Sequence, residues 1–416
     1  MAGFPRMLPV VASEERKRLP LAPQARDIDL QWRPIYAVWE VTLRCDLACR
    51  HCGSRAGRAR EDELTTAEAL DVVRQLAELG VKEVTLIGGE AYLRSDWTDI
   101  IRSVRDHGMA CSVTTGGRFF TAERARAGKD AGLRAVSVSV DGLRATHDEL
   151  RGVAGSFDAA LAALGAIRDA GLTTMVNTQV NRRNWRELGD VCDVLSARGV
   201  TSWMVQLTTA MGRAADEPGL LIEPYQLLDL MPRLVALQDR GRRSGLDVWP
   251  GNNLGYFGPH EATLRSSLPD KHSGACGAGR VTLGLEANGD VKGCPSLPSQ
   301  DYVGGNVRSE SLLDIWERSS QLGFTRARSS KDLWGFCASC YYADSCLGGC
   351  NWTTHVLFGR IGNNPLCHHR AMVLQQAGRR ERLVQTAVAP GLPFDHGLFE
   401  IVEEPWPADG AEGATV

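Results

Sequence analysis

Two groups of cysteines are the residues of this chain best placed to do chemistry. The chain has 12 cysteines, and the first group follows an apolar, strand-like run at residues 36–43. This group consists of Cys45, Cys49 and Cys52. The second group lies far downstream and consists of Cys276, Cys294, Cys337, Cys340, Cys346, Cys350 and Cys367. Such closely spaced thiols are typical of metal ligands or redox groups.

The size of each group limits the metals that it can bind. Three thiolates leave a tetrahedral zinc ion one ligand short, but they can hold three irons of a 4Fe–4S cluster and leave the fourth iron open. The second group is nearly large enough for two more clusters. Zinc is the alternative at both groups, as a structural knuckle or as two sites, because a CxxC pair is equally half of a zinc site. We interpret the chain as a redox enzyme with iron–sulfur chemistry at both ends.

The elements that position the first group alternate between strands and helices. Six strand candidates lie at residues 37–42, 83–87, 110–115, 135–140, 174–180 and 202–207. Amphipathic stretches separate them, and before one of these, residues 66–79, Thr65 followed by Glu68 predicts a capping box. Strands that alternate with helices indicate a parallel α/β sheet, and six units indicate a partial (β/α)6 TIM-like barrel followed by a small cysteine-rich domain.

The loops after the strands are the expected place for an active site. In a barrel, catalytic groups lie at the C-terminal ends of the strands. The first cysteine group follows the first strand candidate, and Gly88-Gly89-Glu90 follows the second. Both segments are therefore predicted to lie at the active site.

The overall composition argues against several classes of protein. The net charge is −3, and no run of Lys and Arg with interleaved aromatic residues supports nucleic-acid binding or a polybasic membrane contact. No stretch approaches the roughly 20 apolar residues of a membrane-spanning helix. The chain is therefore predicted to be cytoplasmic, where cysteines serve metals or catalysis rather than disulfides. Cys111 and Cys192, outside both groups, are predicted to be small buried hydrophobic residues.

The spacing Cys45-x3-Cys49-x2-Cys52 resembles the CxxxCxxC signature of the radical S-adenosylmethionine enzymes, and the resemblance extends through Leu207. It implies that the open iron of a 4Fe–4S cluster binds S-adenosylmethionine. Reductive cleavage of that cofactor would give a 5′-deoxyadenosyl radical that abstracts hydrogen from an unactivated carbon. The protein would orient the substrate and exclude water.

The resemblance also assigns contacts to the cofactor. By motif position the contact residues are Gly88, Gly89, Glu90, Ser139, Asp141, Asn177 and Leu207. The GGE segment would receive the methionyl ammonium, and the segment with Ser and Asp would lie near the ribose. The chain departs from the family pattern twice: Ala91 replaces the usual proline after GGE, and Thr115-Gly116-Gly117 replaces the common Thr-Asn-Gly. Neither departure touches a cluster ligand, so activity is predicted to be retained.

The second cysteine group is similar to the SPASM extension, a seven-cysteine domain that holds two auxiliary 4Fe–4S clusters, and the similarity covers residues 273–370. It implies that the first auxiliary cluster is held by Cys276, Cys294 and Cys350. It implies that the second is held by Cys337, Cys340, Cys346 and Cys367, giving three clusters in all. Some relatives have a fourth cysteine upstream of the first set, where this chain has Asp270 and His272. An oxygen or nitrogen ligand, or an open iron, is therefore expected there.

Together these resemblances imply a peptide maturase, a radical oxidoreductase. It would modify a ribosomally synthesised peptide by hydrogen abstraction while the auxiliary clusters relay electrons, with a flavodoxin or ferredoxin as electron donor. Residues 1–34 are too few for the peptide-recognition domain that many such maturases carry. A separate peptide-recognition protein, or the cleft between the two halves, would then bind any leader peptide.

Three other functions stay open at this point. A dehydrogenase acting on a small molecule would use the same residues and differ in the size of its substrate. Formylglycine-type maturation uses an Asp base after the cysteine that is Cys294 here, where this chain has Pro295. An electron-transfer or scaffold protein is disfavoured by the intact first cysteine group and the GGE motif.

Changes in residue composition and motif content along the chain predict five segments. They are an N-terminal leader segment (1–34), a radical SAM partial barrel (35–225), a linker helix and cleft segment (226–272), a SPASM domain (273–370), and a C-terminal helix and tail (371–416). Helices are predicted at residues 225–244 and 370–383, and a frayed tail at 403–416. Four residues of the third segment would either line the substrate cleft or pack as a linker: Asn252, Asn253, Tyr256 and Phe257.

Overall fold

The computed structural model describes residues 32–407, so nearly all of the predicted leader segment lies outside the described residues. Its strands are β1 (Tyr36–Glu40), β2 (Glu83–Ile87), β3 (Ala110–Thr115), β4 (Ala135–Ser139), β5 (Thr173–Val180), β6 (Ser202–Leu207), β7 (Asp247–Pro250), β8 (Thr282–Leu285), β9 (Asp290–Lys292), β10 (Gly305–Asn306), β11 (Arg379–Ala387) and β12 (Leu398–Pro405).

The helices fall mostly between these strands. They are α1 (Thr66–Glu78), α2 (Trp97–Asp106), α3 (Ala122–Asp130), α4 (Arg144–Arg151), α5 (Ser156–Asp169), α6 (Leu188–Ala197), α7 (Arg213–Asp216), α8 (Leu227–Ser244), α9 (Glu261–Leu264), α10 (Ser299–Tyr302), α11 (Leu312–Arg318), α12 (Ser320–Gly323), α13 (Ala343–Cys346), α14 (Asn351–Phe358) and α15 (His368–Gln376).

One sheet forms the centre of the molecule, with the strand order β10-β9-β8-β1-β2-β3-β4-β5-β6-β7. Strands β1 to β7 run parallel to their neighbours, and β8 runs parallel to β1. Strand β9 pairs antiparallel with β8, and β10 pairs antiparallel with β9. Its two outermost strands do not pair with each other, so the sheet is an open, partial barrel. The predicted α/β barrel-like fold is confirmed, with all six predicted strands in place. Strands β7 and β8 widen the sheet beyond the six that were predicted.

The local sequence explains why these elements form where they do. Strands β2 and β4 are buried at all but one position, as expected for parallel strands covered on both faces. The predicted capping box starts α1: Thr65 Oγ1 accepts from the Glu68 backbone N–H at 3.3 Å, and the Glu68 carboxylate accepts from the Thr65 N–H at 2.7 Å.

A buried group of charges joins the barrel to the cysteine-rich region. Arg60 Nη2 lies 3.4 Å from Oε1 of Glu40 and 2.7 Å from Oε2 of Glu286, and Lys292 Nζ lies 2.7 Å from the other oxygen of Glu286. Burial raises the pKa of Glu40 to about 7, although Arg60 opposes this rise. Strand β8 therefore pairs with β1 through its backbone, and the ion pairs of Arg60 and Lys292 also connect the end of β1 to β8 and β9.

The C-terminal segment differs from its prediction. Helix α15 ends at Gln376 instead of near residue 383, and β11 and β12 form an antiparallel hairpin. Residues 403–405, predicted to fray, belong to β12, while residues 408–416 lie outside the described part of the chain. The helix ends because Gly378 adopts a left-handed φ of 69°. A buried bidentate ion pair then holds the hairpin on the helix, with both Glu381 oxygens of β11 2.7 Å from nitrogens of Arg370 in α15.

A helix that crosses a membrane must be both long and apolar. Among residues 32–407, no single helix meets both requirements. Helices α4 and α5 meet them only as a pair, and this pair is bent by 99°.

Candidate active site and cysteine clusters

The first cysteine group lies in the loop after β1, at the carboxyl edge of the parallel strands. The thiols of Cys49 and Cys52 are close enough to Cys45, and that of Cys52 close enough to Cys49, to act on them electrostatically. Burial, with smaller contributions from the neighbouring thiols, raises the pKa of Cys45 to about 12 and that of Cys49 to about 11. Sequence spacing predicted this grouping, and the structure brings the three residues together.

Gly88 and Gly89 let the loop after β2 pack directly on the cysteine loop. A Cβ atom on Gly89 would lie 2.1 Å from the carbonyl oxygen of Arg44, and one on Gly88 would lie 2.3 Å from that of Thr42. The Gly89 N–H donates to Thr42 O, and the Glu90 N–H donates to Arg44 O, both at 2.8 Å. The two glycines are therefore required by the backbone of the cysteine loop itself.

Glu90 is buried beside Cys45 and Asp46, and the ligand atoms of all three lie within 4.8 Å of one another. Its carboxylate accepts from the Gly116 N–H at 2.6 Å and from Thr115 Oγ1 at 2.5 Å. Burial raises the pKa of Glu90 to about 7 although these hydrogen bonds oppose the rise.

The glycine at position 116, one of the two departures from the family pattern, has a steric reason. A Cβ atom there would lie 2.2 Å from Cδ1 of Leu47 in the cysteine loop and 2.9 Å from Oε1 of Glu90. An asparagine side chain at this position would collide with both. Instead, the backbone N–H of Gly116 donates a hydrogen bond directly to the Glu90 carboxylate.

Asp141 is fully buried and bound to the cysteine loop. Its Oδ2 atom lies 3.0 Å from Nε2 of His51 and 2.5 Å from Nη2 of Arg151, while its Oδ1 accepts from the Gln179 N–H at 2.8 Å. Arg151 in turn places Nη1 3.6 Å from Sγ of Cys49. Burial alone would raise the pKa of Asp141, but Arg151 and His51 hold it well below its usual range.

The remaining predicted cofactor contacts divide into two kinds. Ser139 on β4 and Asn177 on β5 are register partners, and both side chains are half-buried at the carboxyl edge of the sheet. Leu207 is fully buried, and its backbone N–H and carbonyl both bind the side-chain amide of Asn253, at 3.1 and 2.8 Å. Ser139 and Asn177 therefore lie side by side on adjacent strands and are partly open to solvent, whereas Leu207 is buried and its backbone polar groups are bound to Asn253.

Three arginines that contact the cysteine loop were not singled out from the sequence. Arg118, after β3, donates to the Asp46 carbonyl at 2.5 Å. Arg213, after β6, donates to the Cys49 carbonyl at 2.9 Å, and Arg151 at the end of α4 approaches the Cys49 thiol. The only sequence feature that these three arginines share is that each follows a strand. This feature is too common in sequences to identify a functional residue.

The second cysteine group separates into two sets in the structure. In the first set, burial and the neighbouring thiol of Cys276 raise the pKa of Cys294 to about 12 and that of Cys350 to about 11. The second set lines one cavity of about 360 Å³ and consists of Cys337, Cys340, Cys346 and Cys367. The side chains are thus grouped as the resemblance implies, and their assignment as cluster ligands stays a prediction.

Tyr256 lies between the two sets. Its hydroxyl accepts from the Cys350 N–H at 3.0 Å and donates to the Asn252 carbonyl at 2.5 Å, while its own carbonyl accepts from the Cys367 thiol at 3.5 Å. Tyr256 and Phe257 are buried, with φ values of 98° and 55°. Tyr256 therefore packs between the cysteine sets, and Phe257 lines the cavity of the second set and stacks on Tyr342. For these two residues, this favours the packing interpretation over cleft lining.

The chemistry of the donors fits iron–sulfur clusters. All 12 cysteines are free of disulfides, and Cys111 and Cys192 are buried apart from the three sets. Grouped, buried thiols resist ionisation, and a bound cation is what makes such a group stable as thiolates. Sets of three or four thiols are of the size that holds a cubane cluster.

Comparison with known proteins places the chain in a family. Residues 39–195 match the model of the radical SAM superfamily, and residues 276–341 match an iron–sulfur cluster-binding domain. The mycofactocin maturase MftC of Mycobacterium tuberculosis is 32% identical over 323 residues, which cover 76% of this chain and 78% of that protein. The chain therefore belongs to the radical SAM superfamily and carries a C-terminal SPASM domain. Membership implies 4Fe–4S clusters and S-adenosylmethionine as cofactors.

Two further comparisons extend the range of relatives. The AdoMet-dependent heme synthase of Nitratidesulfovibrio vulgaris is 27% identical over 355 residues, covering 80% of this chain and 91% of that protein. The crystal structure of Streptococcus suis SuiB bound to S-adenosylmethionine has a TM-score of 0.62 at 18% identity and covers 77% of this chain and 74% of that chain. The SuiB comparison shows that the fold is shared.

Proposed function

We propose that this chain is a maturase that modifies a ribosomally synthesised peptide by hydrogen abstraction. The observation that carries the proposal is the 32% identity to a maturase over 76% of the chain, an alignment long enough to require both the barrel and cysteine-rich regions. The two additional sets of cysteines are consistent with an oxidative modification, in which an electron must be taken up after hydrogen abstraction.

The residues of the first site have distinct roles in this proposal. When bound, a reduced 4Fe–4S cluster with S-adenosylmethionine supplies a 5′-deoxyadenosyl radical. Cys45, Cys49 and Cys52 would hold that cluster. Glu90 is placed to receive the methionyl ammonium because it is a buried acceptor beside Cys45. Ser139, which faces the same edge of the sheet, would receive the polar groups of the nucleoside.

The two sets of the cysteine-rich region would hold auxiliary clusters, giving three clusters in the chain. Cys276, Cys294 and Cys350 form one ligand set, and the four cysteines around the 360 Å³ cavity form the other. The buried contacts of Tyr256 with both sets support a fixed separation between them. We propose that these residues serve electron transfer, with a flavodoxin or ferredoxin as the external donor.

A second function is favoured by a specific observation. Heme synthases are among the relatives, at 27% identity over 80% of the chain, and heme is an iron tetrapyrrole. Modification of such a tetrapyrrole is therefore the alternative to peptide modification.

The two functions are separated by one assay. Anaerobically reconstituted protein is incubated with S-adenosylmethionine, dithionite and either short peptides encoded beside its gene or iron coproporphyrin. We expect 5′-deoxyadenosine by HPLC together with a changed peptide mass or connectivity by mass spectrometry. A changed tetrapyrrole mass with no altered peptide would overturn the proposal. Cys45→Ala should abolish both products, and Cys111→Ala, remote from the clusters, should retain them.

A further inference from the structure

Three side chains outside the cysteine sets converge from separate elements. They are Asp301 in α10, His355 in α14 and His396 in the loop between β11 and β12. Oδ2 of Asp301 lies 3.0 Å from Nε2 of His355 and 3.8 Å from Nε2 of His396. One ligand atom from each of the three residues lies within 4.8 Å of the other two.

Both histidine rings are oriented by a partner on the far side of the ring. Nδ1 of His355 lies 3.0 Å from the hydroxyl of Tyr302, and Nδ1 of His396 lies 2.7 Å from the carbonyl oxygen of Gly397. Histidines that bind metal typically donate their other ring N–H to such an outer partner, which fixes the ring and its tautomer. Both Nε2 atoms are thereby turned toward the same carboxylate.

The contact of His396 with Gly397 places a hydrogen on Nδ1, because a carbonyl oxygen only accepts. In the neutral form of the ring, Nε2 then presents its lone pair toward the carboxylate of Asp301. Neutral imidazole is the form of histidine that binds a metal ion.

We propose that Asp301, His355 and His396 form a binding site for one divalent transition-metal ion, with zinc as the best match. Imidazole and carboxylate ligands bind zinc at about 2.0–2.2 Å. Ligand atoms of a tetrahedral site with such bonds are about 3.4 Å apart. The separations of 3.0 and 3.8 Å bracket this value. The Asp301 side chain is 41% exposed, so the ion is reached from solvent and water completes its coordination.

The position of the site suggests what the ion does. Tyr302, the outer partner of His355, packs in one cluster with Cys276 and Cys294. His355 lies on the helix that directly follows Cys350. An ion at the three residues would therefore fasten the hairpin loop that carries His396 onto the two segments that flank the first auxiliary set of cysteines.

The test is zinc binding to the holoprotein, in which iron–sulfur clusters occupy the cysteines. Anaerobically reconstituted protein is titrated with Zn²⁺ against a chromophoric chelator, with iron and sulfide measured in parallel. We expect one tight zinc per wild-type chain and at least a tenfold weaker affinity in His396→Gln and in Asp301→Asn, with unchanged iron. His107→Gln is the matched control, because His107 also binds a carbonyl through Nδ1, at 2.8 Å, but lies outside the three-residue site.

X-ray absorption at the zinc edge gives a second readout that does not depend on activity. We expect nitrogen and oxygen ligands at about 2.0 Å and no sulfur at about 2.3 Å. Sulfur ligation would show that zinc enters a cysteine set, and equal affinity in wild type and both variants would show that the three residues bind no metal. Either result would overturn the proposal.

Discussion

Oδ2 of Asp141 lies 3.0 Å from Nε2 of His51, the residue directly before the third cysteine of the first group. The carboxyl edge of β4 is therefore bound to the loop that would carry the radical-generating cluster. Because Asp141 also neutralises Arg151, which approaches the Cys49 thiol, one buried carboxylate positions two residues around the cysteines. We therefore expect Asp141 to hold the first cysteine loop in place.

The variant Asp141→Asn tests this role. It leaves the buried Arg151 guanidinium without its ion pair, and breaking a buried pair in this way costs on the order of 3–5 kcal/mol. We expect a lower melting temperature and weaker retention of the first cluster, measured as iron lost on desalting. Asp99→Asn, at an exposed pair with Arg102 on α2, should behave as wild type. Unchanged iron retention in Asp141→Asn would show that Asp141 does not hold the loop.

A pair of glycine variants tests the packing of the two active-site loops. In Gly89→Ala the new methyl group would meet the Arg44 carbonyl at 2.1 Å, so the cysteine loop must move. We expect loss of about four irons per chain, the content of one cubane, and loss of 5′-deoxyadenosine formation. Gly57→Ala, in the same loop but with open space around its Cβ position, should keep both. Equal iron content in the two variants would contradict the packing argument.

The buried carboxyl of Glu40 makes a prediction about pH. Its pKa is raised from 4.5 to about 7, so the folded state binds a proton that the unfolded state has released between these values. The free energy of unfolding should therefore fall by up to about 1.4 kcal/mol per pH unit as pH rises from about 4.5 to about 7. Glu40→Gln removes this contribution.

The measurement is the melting temperature of the holoprotein from about pH 6 to about pH 8. Relative to wild type, Glu40→Gln should gain stability as pH rises and level off above about pH 7. Glu78→Gln, which changes an exposed pair with Arg74, should follow wild type. Parallel curves for wild type and Glu40→Gln would mean that Glu40 titrates normally in the folded protein.

The sequence predicted the strands whose signal is local. Strands β1 to β6 are apolar or β-branched runs between helical segments, and each was predicted to within two residues of its ends. Strand β7 is four residues long and ends in Pro250, and β8 lies among turns and cysteines. These two are strands because they pair with β6 and β1, which is a tertiary cause.

At the candidate sites, too, contacts between residues close in sequence were predicted and contacts between residues far apart in sequence were not. Cysteine spacing is local and predicted the first group, whereas the division of the second group into sets came from the resemblance to the SPASM extension. The contact between Asp141 and His51, and the convergence of Asp301 with two histidines, join residues that are far apart in the chain. Residues 379–383 of β11 were predicted as helix, because the ion pair between Arg370 and Glu381 that holds this strand is a tertiary contact.

The most direct test of three iron–sulfur sites is iron and sulfide analysis with Mössbauer spectroscopy on anaerobically reconstituted protein. We predict about twelve irons per wild-type chain, four for each of three ligand sets. Joint replacement of Cys45, Cys49 and Cys52 by Ala should leave about eight and abolish 5′-deoxyadenosine formation. Joint replacement of Cys276 and Cys294 should also leave about eight but keep cofactor cleavage. A wild-type content near four irons, with zinc making up the remainder, would contradict the two auxiliary clusters and the electron-transfer role proposed for them.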